Sequence, residues 1–124
     1  MKDKYYYKDG TTSSKYDGSK VIHRIDGPAV EYANGDKSWY VDGKLHRIDG
    51  PAIEYLNGTK YWYMDGKLHR IDGPAIELAD GSIVWWYVDD EEYSERAFNY
   101  LIKDIQQLPK VLRLIDPREW VRKL

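Results

Sequence analysis

Hydrophobic and polar residues alternate in short runs over residues 1–92, and turn-forming pairs interrupt the runs. In the first full copy of a repeated segment, β-branched and aromatic residues concentrate in residues 29–33, 37–41 and 44–47. Short runs of this composition are typical of β-strands, whereas a helix would repeat its apolar positions every three or four residues. The pattern therefore predicts a mainly β region built from short strands.

Two kinds of dipeptide, Asn-Gly and Asp-Gly, separate these strands. Asn34-Gly35 and Asp42-Gly43 both tolerate the two positive φ angles that a type I′ turn requires. A two-residue turn at each pair makes residue 33 oppose residue 36 and residue 41 oppose residue 44. Counting outward from the turns predicts two opposite faces, one with Val30, Trp39 and His46 and the other with Glu31, Ser38 and Arg47.

The hydrophobic period changes after residue 92. Apolar residues then recur three and four positions apart, which predicts an amphipathic helix with Ser94 as its N-cap and Pro109 as its end. Its apolar positions are Phe98, Leu101, Ile102, Ile105 and Leu108. The Asp-Pro-x-Glu string at 116–119 predicts the start of a second helix, and residues 110–115 fit either a strand or a helical turn.

A repeat of about 23 residues underlies the first region. Residues 23–45 and 46–68 are identical at 18 of 23 positions. A third copy begins at His69, and its Trp-Tyr-x-Asp string comes one residue late, which predicts a bulge or an adapted terminal unit. Upstream, residues 4–10 match half of the unit, and an insertion over residues 11–20 follows.

These patterns predict one mainly β domain over residues 1–124, made of stacked antiparallel β-hairpin repeats with a C-terminal helical cap. Its predicted parts are a degenerate half repeat plus insertion (1–22), three hairpin repeats (23–92) and the helical cap (93–124). The cap is expected to cover one end of the hairpin stack, because an uncovered strand edge exposes unpaired backbone groups.

The repeat resembles a known family. The strings Asn-Gly-x-Lys, Trp-Tyr-x-Asp-Gly-Lys-Leu and Gly-Pro-Ala-Ile-Glu-Tyr are similar to a variant of the MORN repeat. The His-Arg-x-Asp-Gly-Pro-Ala form is similar to tandem repeats of bacteriophage and giant-virus proteins, and the resemblance covers residues 23–89. It implies a stacked hairpin sheet that mediates protein or lipid contacts, without catalytic residues. The chain lacks the extra glycines of ordinary MORN units, so protein contacts are the expected role.

Composition and charge restrict the compartment and the partners. The chain has no cysteine, which favours a reducing cytoplasm, the host cytoplasm if a phage encodes the protein. No secretory segment or membrane-length apolar run occurs, so no membrane association is expected. A formal net charge of −2 argues against direct nucleic-acid binding. Residues 1–92 contain 12 basic and 17 acidic side chains, a net of −5, whereas residues 93–124 are mildly basic.

The repeated string His-Arg-x-Asp is similar to a kinase catalytic loop, but it occurs three times and lacks the other kinase motifs. No enzyme activity, cofactor or metal site is therefore predicted. The aspartates Asp26, Asp49 and Asp72 are expected to shape Asp-Gly-Pro turns through side-chain-to-backbone hydrogen bonds. One histidine per repeat cannot converge on a single ion, so each is expected to pack beside a tryptophan and bind a backbone carbonyl.

The repeated arginines have two interpretations. Arg47 can pair with Glu31, and Arg70 can pair with Glu54, across an intervening strand as a structural ladder. Alternatively, arginines and tyrosines form a surface that recognises a protein, with the insertion at 11–20 as a further contact. The predicted partner-binding residues are Tyr40, Arg47, Tyr61, Tyr63 and Arg70.

The predicted function is non-catalytic protein binding, in the sharper form of a phage-encoded inhibitor that occludes the surface of a host enzyme or defence complex. A first alternative is sequestration of a nucleotide-like small ligand. Its predicted contacts are His46, His69, Trp39 and Trp62. A second alternative is a structural scaffold, in which strand edges pair between copies and the chain forms a homo-oligomer.

Overall fold

A computed structural model describes residues 2–82 and 84–107. Its strands are β1 (Lys4–Tyr6), β2 (Thr12–Ser13), β3 (Val30–Glu31), β4 (Lys37–Ser38), β5 (Tyr40–Val41), β6 (Lys44–Leu45), β7 (Ile53–Glu54), β8 (Lys60–Tyr61), β9 (Tyr63–Met64), β10 (Lys67–Leu68), β11 (Ile76–Glu77), β12 (Val84–Val88) and β13 (Glu91–Tyr93). One helix, α1 (Glu95–Gln106), follows them. The predicted fold class, mainly β with antiparallel hairpins and a C-terminal helix, is confirmed.

Each full repeat contributes two hairpins. The first hairpin joins a nine-stranded antiparallel sheet of order β13-β12-β11-β8-β7-β4-β3-β1-β2. The second hairpin is short and forms a two-stranded sheet, β5 with β6 in one repeat and β9 with β10 in the next. Backbone bonds link successive short hairpins, since Gly66 N–H donates to the carbonyl of Leu45 at 2.8 Å. The 23-residue period therefore corresponds to two strands of the large sheet and one short hairpin beside it.

The prediction for the Asp-Gly turn is confirmed. Asp42 and Gly43 have φ angles of 51° and 79°, and Val41 pairs with Lys44 directly across the turn. Two adjacent residues with positive φ are the requirement of a type I′ turn, which joins antiparallel strands with their natural twist. Asp65-Gly66 repeats the geometry. Local turn chemistry is therefore sufficient to set the register of the short hairpins.

The prediction for the Asn-Gly turn is wrong by one residue. Glu31 pairs with Lys37, not with Ser38, and Tyr32 N–H donates to the carbonyl of Asp36 at 2.9 Å. Of the two residues Asn34 and Gly35, only Gly35 has a positive φ, at 99°. The loop therefore has three residues, as in a type I turn followed by a left-handed glycine. The Asn34 side chain favours this form, because its Oδ1 accepts the N–H of Asp36 at 2.9 Å.

The one-residue shift changes the composition of both sheet faces. Val30 now pairs with Ser38 instead of Trp39, so the tryptophan lies on the opposite face from the valine. Two cross-strand rows follow from the observed pairs. One row contains Tyr5, Val30, Ser38, Ile53, Tyr61, Ile76 and Trp85. The other alternates in charge through Lys4, Glu31, Lys37, Glu54, Lys60 and Glu77, an arrangement that favours the register.

The third repeat accommodates its extra residue in a loop. Glu77 pairs with Val84, which leaves six residues between them, whereas five separate Glu54 from Lys60. The slip in the Trp-Tyr-x-Asp string is thus a longer hairpin loop and not a bulge within the strands. The following turn is made by Asp89 and Asp90, with φ angles of 51° and 68°, where the other repeats have Asp-Gly.

The buried core combines alanines and valines with a few larger side chains. Ala29, Ala52 and Ala75 are fully buried at the three Gly-Pro-Ala turns. The carbonyl of Ala52 accepts the N–H of Trp39 at 2.7 Å, so the alanine lies where one repeat contacts the next. A methyl side chain permits this close approach of two backbones. Val30 and Val88 are the largest side chains that are fully buried among the described residues.

The helix begins as predicted. Ser94 Oγ accepts the N–H of Ala97 at 3.1 Å, which confirms Ser94 as the N-cap. Phe98 is buried and its ring lies 6.3 Å from that of Trp86, so α1 packs on the last hairpin of the sheet. The predicted helix end at Pro109 and everything predicted for residues 108–124 lie outside the described residues.

Candidate binding surfaces

The arginine of each repeat is held by an aromatic ring on one side and by a turn on the other. The Arg47 guanidinium lies 3.9 Å from the centre of the Trp39 ring. Its Nε donates to Asp49 Oδ1 at 3.2 Å, and its Nη1 donates to the Pro51 carbonyl and to Glu54 Oε1, both at 3.1 Å. Arg24 on Tyr6 and Arg70 on Trp62 make the same set of contacts.

The arginine contacts correct two predictions. Arg47 pairs with Glu54 of its own Asp-Gly-Pro segment and not with Glu31, and Arg70 correspondingly pairs with Glu77. The Asp49 carboxylate accepts from an arginine side chain and not from the backbone. The count from the Asp-Gly turn placed Arg47 opposite Ser38, but the strands of that hairpin end at Leu45, and the Arg47 N–H donates to the carbonyl of Tyr63 at 3.2 Å.

The glycine of each Asp-Gly-Pro turn makes room for the guanidinium. A Cβ added to Gly50 would lie 2.9 Å from Cζ of Arg47, closer than real Cβ contacts allow. The Arg47 side chain is 22% exposed, so most of its donors face protein and not solvent. Arginine, tryptophan and glycine of the repeat therefore form one structural unit, which we call the arginine clamp and define as Trp39, Arg47, Asp49, Gly50 and Glu54 together with their counterparts in the other repeats.

The histidines connect consecutive repeats. His46 Nδ1 accepts the backbone N–H of Asp65 at 3.0 Å, and His23 accepts that of Asp42 at 2.9 Å. The predicted bond to a backbone carbonyl is wrong, because the ring nitrogen is the acceptor and the amide is the donor. An accepting Nδ1 places the proton of a neutral imidazole on Nε2. His69 makes the same bond to the amide of Asp89 at 3.0 Å.

Two open clefts lie between consecutive His-Arg-Ile-Asp turns. The first, of about 670 Å³, is lined by Trp39 and His46, with Arg24 and Arg47 on its sides. The second, of about 550 Å³, contains Trp62 and His69 in the equivalent places. The structure thus brings together, in two clefts, the four residues predicted for a small ligand.

The opposite side of the repeats is rich in tyrosine. Tyr61 and Tyr63 stack at 6.5 Å with ring planes 6° apart, and Tyr55 meets Tyr61 edge-on at 5.8 Å. Tyr5 and Tyr16 lie 5.9 Å apart on the same side. We call this surface the tyrosine face. Its members are Tyr5, Tyr16, Tyr32, Tyr40, Tyr55, Tyr61 and Tyr63.

The hydroxyl groups of the tyrosine face are largely unused by the fold. Tyr40, Tyr55, Tyr61 and Tyr63 make no side-chain hydrogen bond within the part of the chain that the structure describes. Burial raises the pKa of the Tyr40 phenol, and the nearby phenols of Tyr16, Tyr5 and Tyr55 raise it further. Burial also raises the pKa of Tyr55 and Tyr63, so these three hydroxyls are protonated at neutral pH and able both to donate and to accept.

The insertion at 11–20 folds over the start of this face. The Tyr7 hydroxyl accepts the N–H of Asp17 at 2.8 Å and donates to the carbonyl of Lys15 at 3.2 Å. Hydrogen bonds from the side chain and backbone of Ser19 lower the pKa of the Asp17 carboxyl and fix the next turn. Tyr16 remains 61% exposed beside Tyr5. The insertion is thus an ordered part of the surface.

The predicted partner-binding residues are divided between two sides of the molecule. Tyr40, Tyr61 and Tyr63 lie together on the tyrosine face, whereas Arg47 and Arg70 are in arginine clamps on the other side. Their roles as partner contacts stay predictions. Sequence reasoning did not single out Tyr5, Tyr32 and Tyr55 as contacts, and it included Tyr16 only as part of the insertion at 11–20. The two-residue spacing of Tyr32 from Val30, and of Tyr55 from Ile53, could have placed two of them on this face.

No cluster of three or more metal-ligating side chains occurs within residues 2–82 and 84–107. In the same ranges, no helix is long and apolar enough to cross a membrane. Comparisons with protein-family models, curated proteins and solved structures found no match. The resemblance to MORN-like repeats therefore stays a prediction from the sequence.

Proposed function

We propose that this chain is a non-catalytic protein-binding module whose contact surface is the tyrosine face. The observation that carries the proposal is that the rings of this face lie together while the hydroxyls of four of them, Tyr40, Tyr55, Tyr61 and Tyr63, make no hydrogen bond within the described residues. Tyrosine supplies large contact area and a polar tip at a small cost in side-chain entropy, which is why it is enriched in protein interfaces. Clustered rings of this kind are typical anchors of binding energy.

The contacts of the arginine clamps favour the tyrosine face, and not the opposite side, as the contact surface. Arg47 and Arg70 already stack on tryptophan and bind two carboxylates and a carbonyl each, so their donors are engaged by the fold. A partner that used them would have to displace these contacts. Tyr55, which is 39% exposed, requires no such displacement.

The repeat itself provides variants that test the proposal. Tyr61 corresponds to Ser38, and Tyr55 corresponds to Leu78, in neighbouring copies, so Tyr61→Ser and Tyr55→Leu introduce side chains that the fold already accepts at that position. We expect the tagged wild-type chain, expressed in its host, to retain a stoichiometric partner on size-exclusion chromatography. The double variant should lose it, whereas Tyr100→Leu, at an exposed position of α1, should retain it.

A folded double variant that retains the partner as well as the wild type would overturn the proposal, as would a wild-type chain with no stoichiometric partner. The phage-repeat resemblance favours a host enzyme or defence complex as this partner. Inhibition by occlusion of its surface then predicts that the purified partner loses activity in proportion to added chain, up to one equivalent.

A second candidate function is supported by the two clefts between repeats. Their volumes lie within the range of small-ligand pockets, and each combines an indole, an imidazole and a guanidinium. A nucleotide-like ligand in these clefts predicts a saturable rise in melting temperature that His46→Ala reduces, because this residue lines one of the two clefts. An unchanged melting temperature across a panel of nucleotides would exclude this candidate.

A further inference from the structure

The chain already contains one example of a tyrosine hydroxyl that holds an irregular peptide segment. Tyr7 accepts the amide proton of Asp17 and donates to the carbonyl of Lys15, and its side chain is 4% exposed beneath that segment. One hydroxyl satisfies both a donor and an acceptor of a backbone that belongs to no ladder at that point. The pair of bonds therefore holds this irregular segment by its main chain and not by its side chains.

Tyr40 and Tyr63 occupy the same position of the repeat as Tyr7. Each is the tyrosine of the Trp-Tyr-x-Asp string or its Tyr-Tyr-x-Asp counterpart. Each also faces an aliphatic residue on the adjacent strand, with Tyr7 opposite Ile22, Tyr40 opposite Leu45 and Tyr63 opposite Leu68. Equivalent tyrosines of neighbouring repeats are two strands apart, which corresponds to about 9.5 Å.

The segment that covers Tyr7 does not continue along the row. Tyr40 and Tyr63 have no hydrogen-bond partner for their hydroxyls within the described residues, whereas the Tyr7 hydroxyl has two. The protein thus repeats the same peptide-holding position and fills only the first. We infer that Tyr40 and Tyr63 bind the backbone of an extended, basic peptide segment of the partner, as Tyr7 binds residues 15–17. This inference rests on the proposed function and specifies its partner.

The spacing of the row specifies the conformation of that segment. A polyproline II helix has three residues per turn and rises about 9.3 Å per turn, close to the distance between equivalent tyrosines. Aromatic rows are a recurring docking surface for this conformation, because its backbone carbonyls project outward and are free to accept hydrogen bonds. Every third residue of such a segment would meet the next tyrosine of the row.

The charge around the row specifies the side chains. Residues 1–92 carry a formal charge of −5. Asp36 lies beside Tyr55, since its Oδ1 accepts the N–H of Leu56 at 2.8 Å, and Asp90 lies beside the row, since its Oδ1 accepts the N–H of Leu68 at 2.7 Å. Carboxylates at both margins favour lysine or arginine in the bound segment.

A synthetic probe separates these features. The fluorescence anisotropy of a fluorescein-labelled peptide of four Lys-Pro-Pro repeats should rise when the wild-type chain is added. The affinity should fall as the salt concentration rises. The Tyr40→Phe plus Tyr63→Phe variant keeps both rings and removes both hydroxyls, so its Kd should rise at least about fivefold. Tyr100→Phe, on α1, should bind as the wild type does. A peptide of four Glu-Pro-Pro repeats should bind at least about tenfold more weakly.

A second measurement does not depend on any variant. In the wild-type chain with ring-labelled tyrosine, the NMR signals of Tyr40 and Tyr63 should shift when the Lys-Pro-Pro peptide is added, and the signal of Tyr100 should not. Absence of binding, equal binding of the acidic peptide, or an unchanged Kd in the folded phenylalanine variant would each overturn the inference. One further outcome would overturn the inference and leave the proposed function intact. In it, a stoichiometric partner no longer binds the Tyr55→Leu plus Tyr61→Ser variant but binds the Tyr40→Phe plus Tyr63→Phe variant as tightly as the wild type.

Discussion

The two sides of the repeat differ in how many of their polar side-chain groups form hydrogen bonds within the chain. In the arginine clamp, Arg47 engages a ring, two carboxylates and a carbonyl of its own chain. On the tyrosine face, Tyr40 and Tyr63 have hydroxyls with no such partner within the described residues. The clamp residues are identical in the two best-matched copies, and the tyrosine face differs between them at one position, with serine at 38 and tyrosine at 61. The two sides therefore differ in whether the polar groups of their side chains are engaged by the fold, and not in how strictly they are repeated.

The largest expected effect comes from breaking one arginine clamp. Arg47→Ala removes a cation–π contact and charge-assisted hydrogen bonds, and it leaves Glu54 without its arginine. We expect the free energy of unfolding to fall by about 2–3 kcal/mol. Gly50→Ala should have a related effect, because its Cβ would occupy space held by the guanidinium. Urea denaturation followed by tryptophan fluorescence measures both.

A double-mutant cycle tests whether the glycine acts through the arginine. The cost of Arg47→Ala plus Gly50→Ala should be clearly smaller than the sum of the two single costs, because the alanine methyl has no guanidinium to displace. Arg96→Ala, on the exposed side of α1, is the matched control and should change stability by less than about 0.5 kcal/mol. Additive costs would show that Gly50 is required for its backbone and not for the clamp.

The next effect concerns the contact between repeats. His46→Ala removes the acceptor for the Asp65 amide and should cost about 1–2 kcal/mol, with faster hydrogen exchange at that amide. The Asp42 amide, which is bonded to His23, is an internal reference and should exchange as before. Unchanged exchange at Asp65 in the variant would contradict the assigned role of His46.

The smallest expected effect is the contribution of the tyrosine face to the pH dependence of the unfolding free energy. Burial raises the folded-state pKa of Tyr40 and Tyr63 above the ordinary tyrosine value of 10.0. Their contribution to stability is therefore constant below about pH 10 and is lost as the pH rises above it, because the unfolded chain releases these protons first. The fall in unfolding free energy between pH 9 and pH 11 should be shallower in Tyr40→Phe plus Tyr63→Phe than in the wild type. Equal slopes would contradict the raised pKa values.

Local signals in the sequence were sufficient for several elements. Asp42-Gly43 forms the predicted type I′ turn, because the two residues themselves favour positive φ and need no distant contact. Ser94 caps α1 for a similarly local reason, since its hydroxyl reaches an amide three residues later. The three tyrosines predicted as contacts, Tyr40, Tyr61 and Tyr63, lie on one face because strand periodicity determines side-chain direction.

The arginine partners could not be derived in the same way. The predicted pairs joined Arg47 to Glu31 through an assumed register, and one additional loop residue moved every side chain of that strand to the other face. The arginine then finds Trp39, which is eight residues earlier, and Glu54, which is seven residues later. Such contacts depend on the path of the Asp-Gly-Pro turn, which periodicity along the chain does not describe.

The sequence by itself determined the repeat, the hairpins, the short turns and the helix start, because each depends on residues a few positions apart. Tertiary structure decided the Asn-Gly loop, since Asp36 in that loop binds the Leu56 amide and Leu56 packs close to Gly35, both across a repeat boundary. The local Asn34 bond and this contact between repeats together hold the three-residue loop, the loop length sets the register, and the register decides which rings share a face. The position of the tyrosine face is therefore a property of the stacked repeats and not of any one copy.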